Sequence, residues 1–242
     1  MSNSYKCTIS RLLYYNVLMK TLIEEFKCKD RWYPIPIFDY KNSLTIESTD
    51  DFNERIRCNF AYNMQYIEFL EKEFDELKLS SVLEKMLYKT YIITVMSIIE
   101  CLFSYLLKAS GNWKSNSWKE ISTLQTKETT IENVVYKIKN IIYRKTDDTN
   151  FDSMNLDAMI KKVETKNLLK NVNHKIFPVL KNLRQLRNRI HLHIGEQHYD
   201  NDYNNFSYDE VKIARQILYK IVTNDTLCKK VTVYDFLKQK IS

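Results

Sequence analysis

An all-α helical bundle is the fold class this sequence predicts, on three observations. Only two glycines (Gly111, Gly195) and three prolines (Pro34, Pro36, Pro178) punctuate the 242 residues, whereas a sheet protein of this size uses many glycine-marked turns. Apolar residues recur at three- and four-residue spacing over long stretches, the period of an amphipathic helix. Neither GxGxxG nor GxxxxGK(S/T) can be written with two isolated glycines, which excludes the glycine-dependent nucleotide folds.

Taken in order, the first periodic segment is Ser10 to Lys27, with Leu12, Leu13, Val17, Leu18, Leu22, Ile23 and Phe26 on one stripe. Pro34 and Pro36 enforce an extended connection after it, and Ile37 to Thr49 reads as a loop with room for one short strand. Thr49 or Asp50 is placed to cap a long helix to about Leu77, with Asp51 and Glu54 favouring its dipole. Ser80 or Ser81 caps a third helix that ends between Ala109 and Gly111. Its paired apolar residues, from Val82/Leu83 to Leu106/Leu107, predict the central helix of the bundle.

Asn112 to Glu120 reads as a polar loop holding Trp113 and Trp118, and Ile121 to Thr130 is ambiguous. Ile131 to Tyr143 reads as helix through Val134, Val135, Ile138, Ile141 and Ile142, and Lys145 to Asn150 as a charged turn. Further helices are predicted over Leu156 to Leu169, His174 to about His193, and Tyr208 to Thr223, with a polar loop from Glu196 to Ser207. Gly195 is placed to terminate the second of these. Three parts follow: residues 1–79 as an N-terminal helical extension packed on the core, 80–225 as the helical core, and 226–242 as a tail with a short helix near Tyr234 to Lys238.

The net charge of +7 points toward a polyanionic partner or a solvated lysine surface. Five widely spaced cysteines form no CxxC pair and no ligand set, which suits unpaired thiols in a reducing cytoplasm. The polar N-terminus lacks the pattern of a signal peptide. The most apolar run, Tyr91 to Leu107, carries Ser97, Glu100 and Ser104, so a buried core helix explains it better than a membrane span.

Chemistry concentrates between Arg184 and His198. His191, His193 and His198 follow Arg184, Arg187 and Arg189, and histidines beside fixed cations suit proton transfer on an anionic substrate. On the helix carrying them, Ile176, Leu180, Leu183 and Ile190 are spaced to pack inward, and Arg187 falls on the same stripe. An arginine there must be paired, covered by a partner or functional, because unpaired burial of its charge is very costly; Glu100 on the central helix is the obvious carboxylate for it. Helical phase puts His191 beside Arg187, while His193 converges with it only if the helix ends near Leu192 or two subunits combine. Metal hydrolysis through His191, His193 and His198 with Asp200 or Asp202 lacks an HExxH-type spacing. No metal or other cofactor is expected.

Arg187-Asn188-Arg189-Ile190-His191-Leu192-His193 resembles the RNxxxxH form of the Rx4-6H motif that marks the HEPN superfamily. Met96 to Phe103, with Ser97 and Glu100, is similar to the SxxE part of an earlier HEPN core helix, and Tyr208 to Val222 to the helix after the motif. The resemblance spans roughly Ser80 to Thr223. It implies a HEPN-like bundle and metal-independent endoribonuclease activity with Arg187 and His193 as catalytic residues: His193 moves the proton and Arg187 stabilises the phosphorane. Asn188 would orient the histidine or bind phosphate, His191 and Glu100 would support the site, and Arg184 and Arg189 would contact RNA. One such histidine per chain falls short of an acid and a base, so a composite site across a homodimer is implied, with 2′,3′-cyclic phosphate and 5′-OH products. A bacterial toxin or antiviral role follows, with an antitoxin or regulatory protein as a further partner and no membrane. The alternative is a catalytically silent module binding RNA or a partner protein. The tyrosine that HepT-type toxins carry two positions after the motif histidine is replaced here by Gly195.

Overall fold

The computed structural model describes residues 32–113, 115–151, 154–191 and 201–238. The chain divides into two compact units at Pro34/Ile35. Of the first, residues 32–34 are described, as irregular backbone. The helix expected over Ser10 to Lys27 lies outside the described residues. The second unit is mostly helical.

That unit opens with α1 (Ile37–Ser43), where a loop is expected from sequence. Pro36 is extended as predicted, but it occupies the N-cap, where its fixed φ leads into a helix without loss of a needed donor. Helix α2 (Asp51–Glu76) starts on Asp50, whose carboxylate accepts the Asn53 amide at 2.8 Å. Helix α3 (Ser81–Ala109) closes in a Schellman turn: Asn112 N–H donates to Leu107 O at 2.8 Å and Gly111 N–H to Lys108 O at 3.0 Å, with Gly111 at φ +67°. That left-handed conformation favours glycine.

Helix α3 is the axis of the bundle, as its two-sided apolar surface predicts. Around it pack α2, α4 (Leu156–Thr165), α5 (Ile176–Asn188), α6 (Asp202–Asn205, within the expected polar loop) and α7 (Tyr208–Val222). It is long and apolar enough to cross a membrane by length and composition, yet Ile92, Val95, Ile99, Phe103 and Leu107 are completely covered by the surrounding helices. Helix α7 begins with the Ser207/Glu210 capping box.

The packing boundary therefore falls at Ile35 and not at residue 80. Phe60, Met64, Ile67 and Leu70 of α2 belong to the same core as α3. The C-terminal segment is core as well. A 3₁₀ turn (Val231–Tyr234) and α8 (Asp235–Lys238) bury Tyr234 and Leu237, and Tyr234 OH lies 2.5 Å from Ser43 Oγ.

The largest departure from the sequence reading lies between α3 and α4. Instead of a polar loop, a helix and a charged turn, β1 (Ser115–Gln125) and β4 (Lys139–Phe151) form a long antiparallel hairpin, extended at its tip by β2 (Thr129–Ile131) and β3 (Val134–Tyr136). Glu132 and Asn133 form its turn at φ 51° and 63°, the paired positive values that join twisted strands without splaying them. Ile131, Val134, Val135, Ile138, Ile141 and Ile142 satisfy helical spacing, but their branched Cβ atoms favour strands.

Candidate functional site

Helix α5 buries Ile176, Leu180 and Leu183 against the core, so its next inward position, Arg187, is delivered to the flank of α3. There Arg187 Nη2 donates to Glu100 Oε2 at 2.7 Å, with the side chains 32% and 28% exposed. The pair is thus held by both helices and remains open to solvent. Its carboxylate also acts on its neighbour: burial first, then the Glu100 charge, pushes the Cys101 thiol up to about 11, which removes that cysteine as a nucleophile near neutral pH.

The helix ends sooner than the sequence suggests, at Asn188. Three successive tight bonds follow, Arg189 N–H to Leu186 O at 3.1 Å, Ile190 N–H to Arg187 O at 3.2 Å and His191 N–H to Asn188 O at 3.3 Å. This i→i+3 pattern winds at three residues per turn, so the ideal-helix register that favours His191 over His193 as the neighbour of Arg187 does not apply. Ile190, expected to pack inward, is 54% exposed for the same reason. His191 is exposed. His193, His198, Gly195 and Asp200 lie outside the described residues.

The other expected site residues fall on two faces of α5. Arg184 shares the Arg187 side but turns to α4, where Nη2 meets Asp157 Oδ1 at 3.3 Å. Asn188 and Arg189 face the opposite way, into a cleft of about 490 Å³ between α5 and α7. Val179, Leu186 and Ile213 give this cleft apolar walls, Asn182, Gln185, Asn188 and Asn205 supply amides, and its charges are one cation, Arg189, and one carboxylate, Glu210. Amide edges over an apolar wall suit a planar heterocycle. Among the described residues, no group of three or more His, Cys, Asp or Glu side chains is arranged to hold a metal ion.

A second arginine pair escaped the sequence reading. Arg215 is 1% exposed and grips Glu71 with two bonds, Nε to Oε1 at 2.6 Å and Nη2 to Oε2 at 2.8 Å, while Tyr91 OH donates to the same Oε1 at 2.5 Å. Burial above all, then the Glu71 charge, raises the Tyr91 phenol far above its ordinary range. The signal was present in sequence, because Arg215 sits on the apolar stripe of Val211, Ala214 and Leu218 just as Arg187 sits on its own.

Comparison with known protein families, with curated proteins and with solved structures finds no match to this chain.

Proposed function

We propose that this chain is a metal-independent endoribonuclease of HEPN type. The observation that carries the reading is the placement of Arg187: a fixed, one-third-exposed guanidinium braced by Glu100 at the point where α5 gives way to tight turns. That early ending is the condition under which His193 can converge with Arg187. In the proposed reaction His193 takes or returns a proton while the ribose 2′-OH attacks phosphorus and the 5′ oxygen departs. Arg187 stabilises the extra negative charge of the phosphorane. The cut leaves 2′,3′-cyclic phosphate and 5′-OH ends. Arg184 would hold the RNA beside Arg187, Asn188 and Arg189 would contact it from the other face of α5, His191 would support the site, and a homodimer would bring together two copies of Arg187 and His193. A cytoplasmic toxin or antiviral effector, restrained by an antitoxin or regulatory protein, is the corresponding biological role.

The test is incubation of the purified chain with RNA in EDTA. Cleavage with the stated end groups, lowered about 10²–10³-fold by Arg187→Ala and abolished by His193→Ala, is the expected result. Cleavage that vanishes with the metal, or persists in both variants, would sink the reading.

A second reading is favoured by the same ion pair. Glu100 already satisfies Arg187 at 2.7 Å, so the arginine would be a strut in a catalytically silent module that binds RNA or a protein. Retained RNA binding without cleavage, unaffected by His193→Ala, would select it.

A further inference from the structure

The β1–β4 hairpin has no place in the proposed chemistry, and its surface is unlike that of a soluble two-stranded element. From Trp118 to Lys145 every side chain is exposed except the half-buried Thr123, so the helical body covers neither face. Ten of the exposed side chains from Ile121 to Tyr143 are large and apolar, with Val135 and Ile138 open to 62% and 58%. Residues directly opposite in the ladder share a face, so Ile141 lies on one face with Thr123 and Tyr143, while Leu124 and Ile142 lie on the other. The apolar load is therefore two-sided. Strand order in this sheet is β1–β4, so among the described residues both strands keep an open edge. Such a hairpin is at best marginally stable in water, and an apolar surface of this extent on a monomer marks an interaction site.

We propose that the hairpin is a dimerisation arm that pairs with the arm of a second copy of this chain. Charge selects the occupant. Residues 115–151 carry six Lys and Arg against five Asp and Glu, a net of +1 within a chain of +7, so the arm holds little of the positive excess that RNA would require. Oppositely charged neighbours recur along it, as in Lys119-Glu120 and Lys127-Glu128, so an arm related by a twofold axis can offer carboxylates to these cations and cations to these carboxylates. Area agrees: a stable interface takes about 800 Å² from each partner, and ten half-exposed apolar side chains supply that order of area. Open strand edges add backbone pairing to the apolar contact.

The arm also stands where a second copy would matter. It leaves the end of α3, whose Glu100 holds Arg187, and returns into α4, whose Asp157 holds Arg184. The proposal goes beyond the nuclease reading and does not rest on it.

Light scattering on the full-length chain across micromolar concentrations tests the arm. Wild type is expected at twice the chain mass. Val135→Glu/Ile138→Glu/Ile142→Glu is expected at the single-chain mass with an unchanged helical spectrum, and the same positions changed to Thr, which keeps the branched Cβ, should raise the dimer Kd at least tenfold. Tyr62→Glu/Tyr66→Glu/Val82→Glu, on the exposed body, should leave the dimer intact. A monomeric wild type, as cover of the arm by residues 1–31 of its own chain would give, overturns the proposal, and so does an arm variant that stays dimeric. His193→Ala is expected to dimerise without cleaving RNA. Arm-dependent dimers in which no form cleaves RNA would retire the nuclease reading and leave the arm standing.

Discussion

Two arginines, each on the apolar stripe of its helix, meet two different fates. Arg215 is sealed at 1% side-chain exposure and clamps Glu71, itself 4% exposed, by two bonds, while Arg187 meets Glu100 by one bond at about a third exposure. Burial decides what each can do. In the interior the charges lose their water, and the pair survives only because Tyr91 and the bidentate geometry satisfy the remaining valence of the carboxylate. At the flank, water still reaches both partners, so the Arg187 bond can be exchanged for one to a phosphate. The first pair locks α2 and α3 to α7; the second is the cation on which the proposed cleavage depends.

The sharpest way to break this contrast is Glu71→Ala. It strands the Arg215 charge among covered side chains and is expected to cost about 3–5 kcal/mol in urea or thermal unfolding. Glu71→Leu combined with Arg215→Met should lie much closer to wild type, because it removes the charge along with its partner. A smaller loss, about 1.5–3 kcal/mol, is expected for Tyr91→Phe, which deletes one hydrogen bond to a charged group at a fully buried position. If either single variant unfolds like wild type, the Arg215 pair is not the lock described here.

At the flank the ranking reverses between stability and function. Arg187→Ala should change unfolding by about 0–1 kcal/mol, the range of solvated ion pairs, while lowering RNA cleavage about 10²–10³-fold. Glu100→Gln keeps the shape of the brace and weakens its hold, so cleavage should fall by less than in Arg187→Ala. A loss of several kcal/mol in Arg187→Ala would make this pair structural, like its buried counterpart.

How much of this was legible depended on whether burial had selected the residues. Helices α2, α3 and α7 could be read because each must place apolar side chains in one core, and the same logic exposed Arg187 as a misfit and named Glu100 for it. The hairpin could not be read by that logic. With nearly every side chain exposed, no core face imposed a period, and Ile131, Val134, Val135 and Ile138 fit helical spacing as well as strand spacing; only β-branching and the Glu132-Asn133 turn distinguish the two. The end of α5 was misplaced for a related reason. Gly195 marked a plausible stop in sequence, but the tight turns begin at Arg189, where the exposed Ile190 no longer has a core to follow. Arg215 carried the same sequence signal as Arg187 and was overlooked beside the histidines.

Arg184 offers the finest test of the flank, because it lies one turn before Arg187 and is tied to α4 instead of α3. Its partner Asp157 is held below the ordinary aspartate range, first by the hydrogen bond from Lys161 and then by the charges of Arg184, Lys161 and Lys181, which together outweigh the opposing effect of burial. A carboxyl whose folded value is depressed contributes stability that is present above its unfolded value, about 3.9, and that disappears as pH falls through the folded one. Asp157→Asn should therefore separate from wild type near neutral pH and converge with it in acid, and the stability difference plotted against pH should rise only through that acidic window. If the two curves stay parallel down to the acid limb, Asp157 does not titrate against this cluster, and Arg184 is as free to meet RNA as the motif resemblance implies.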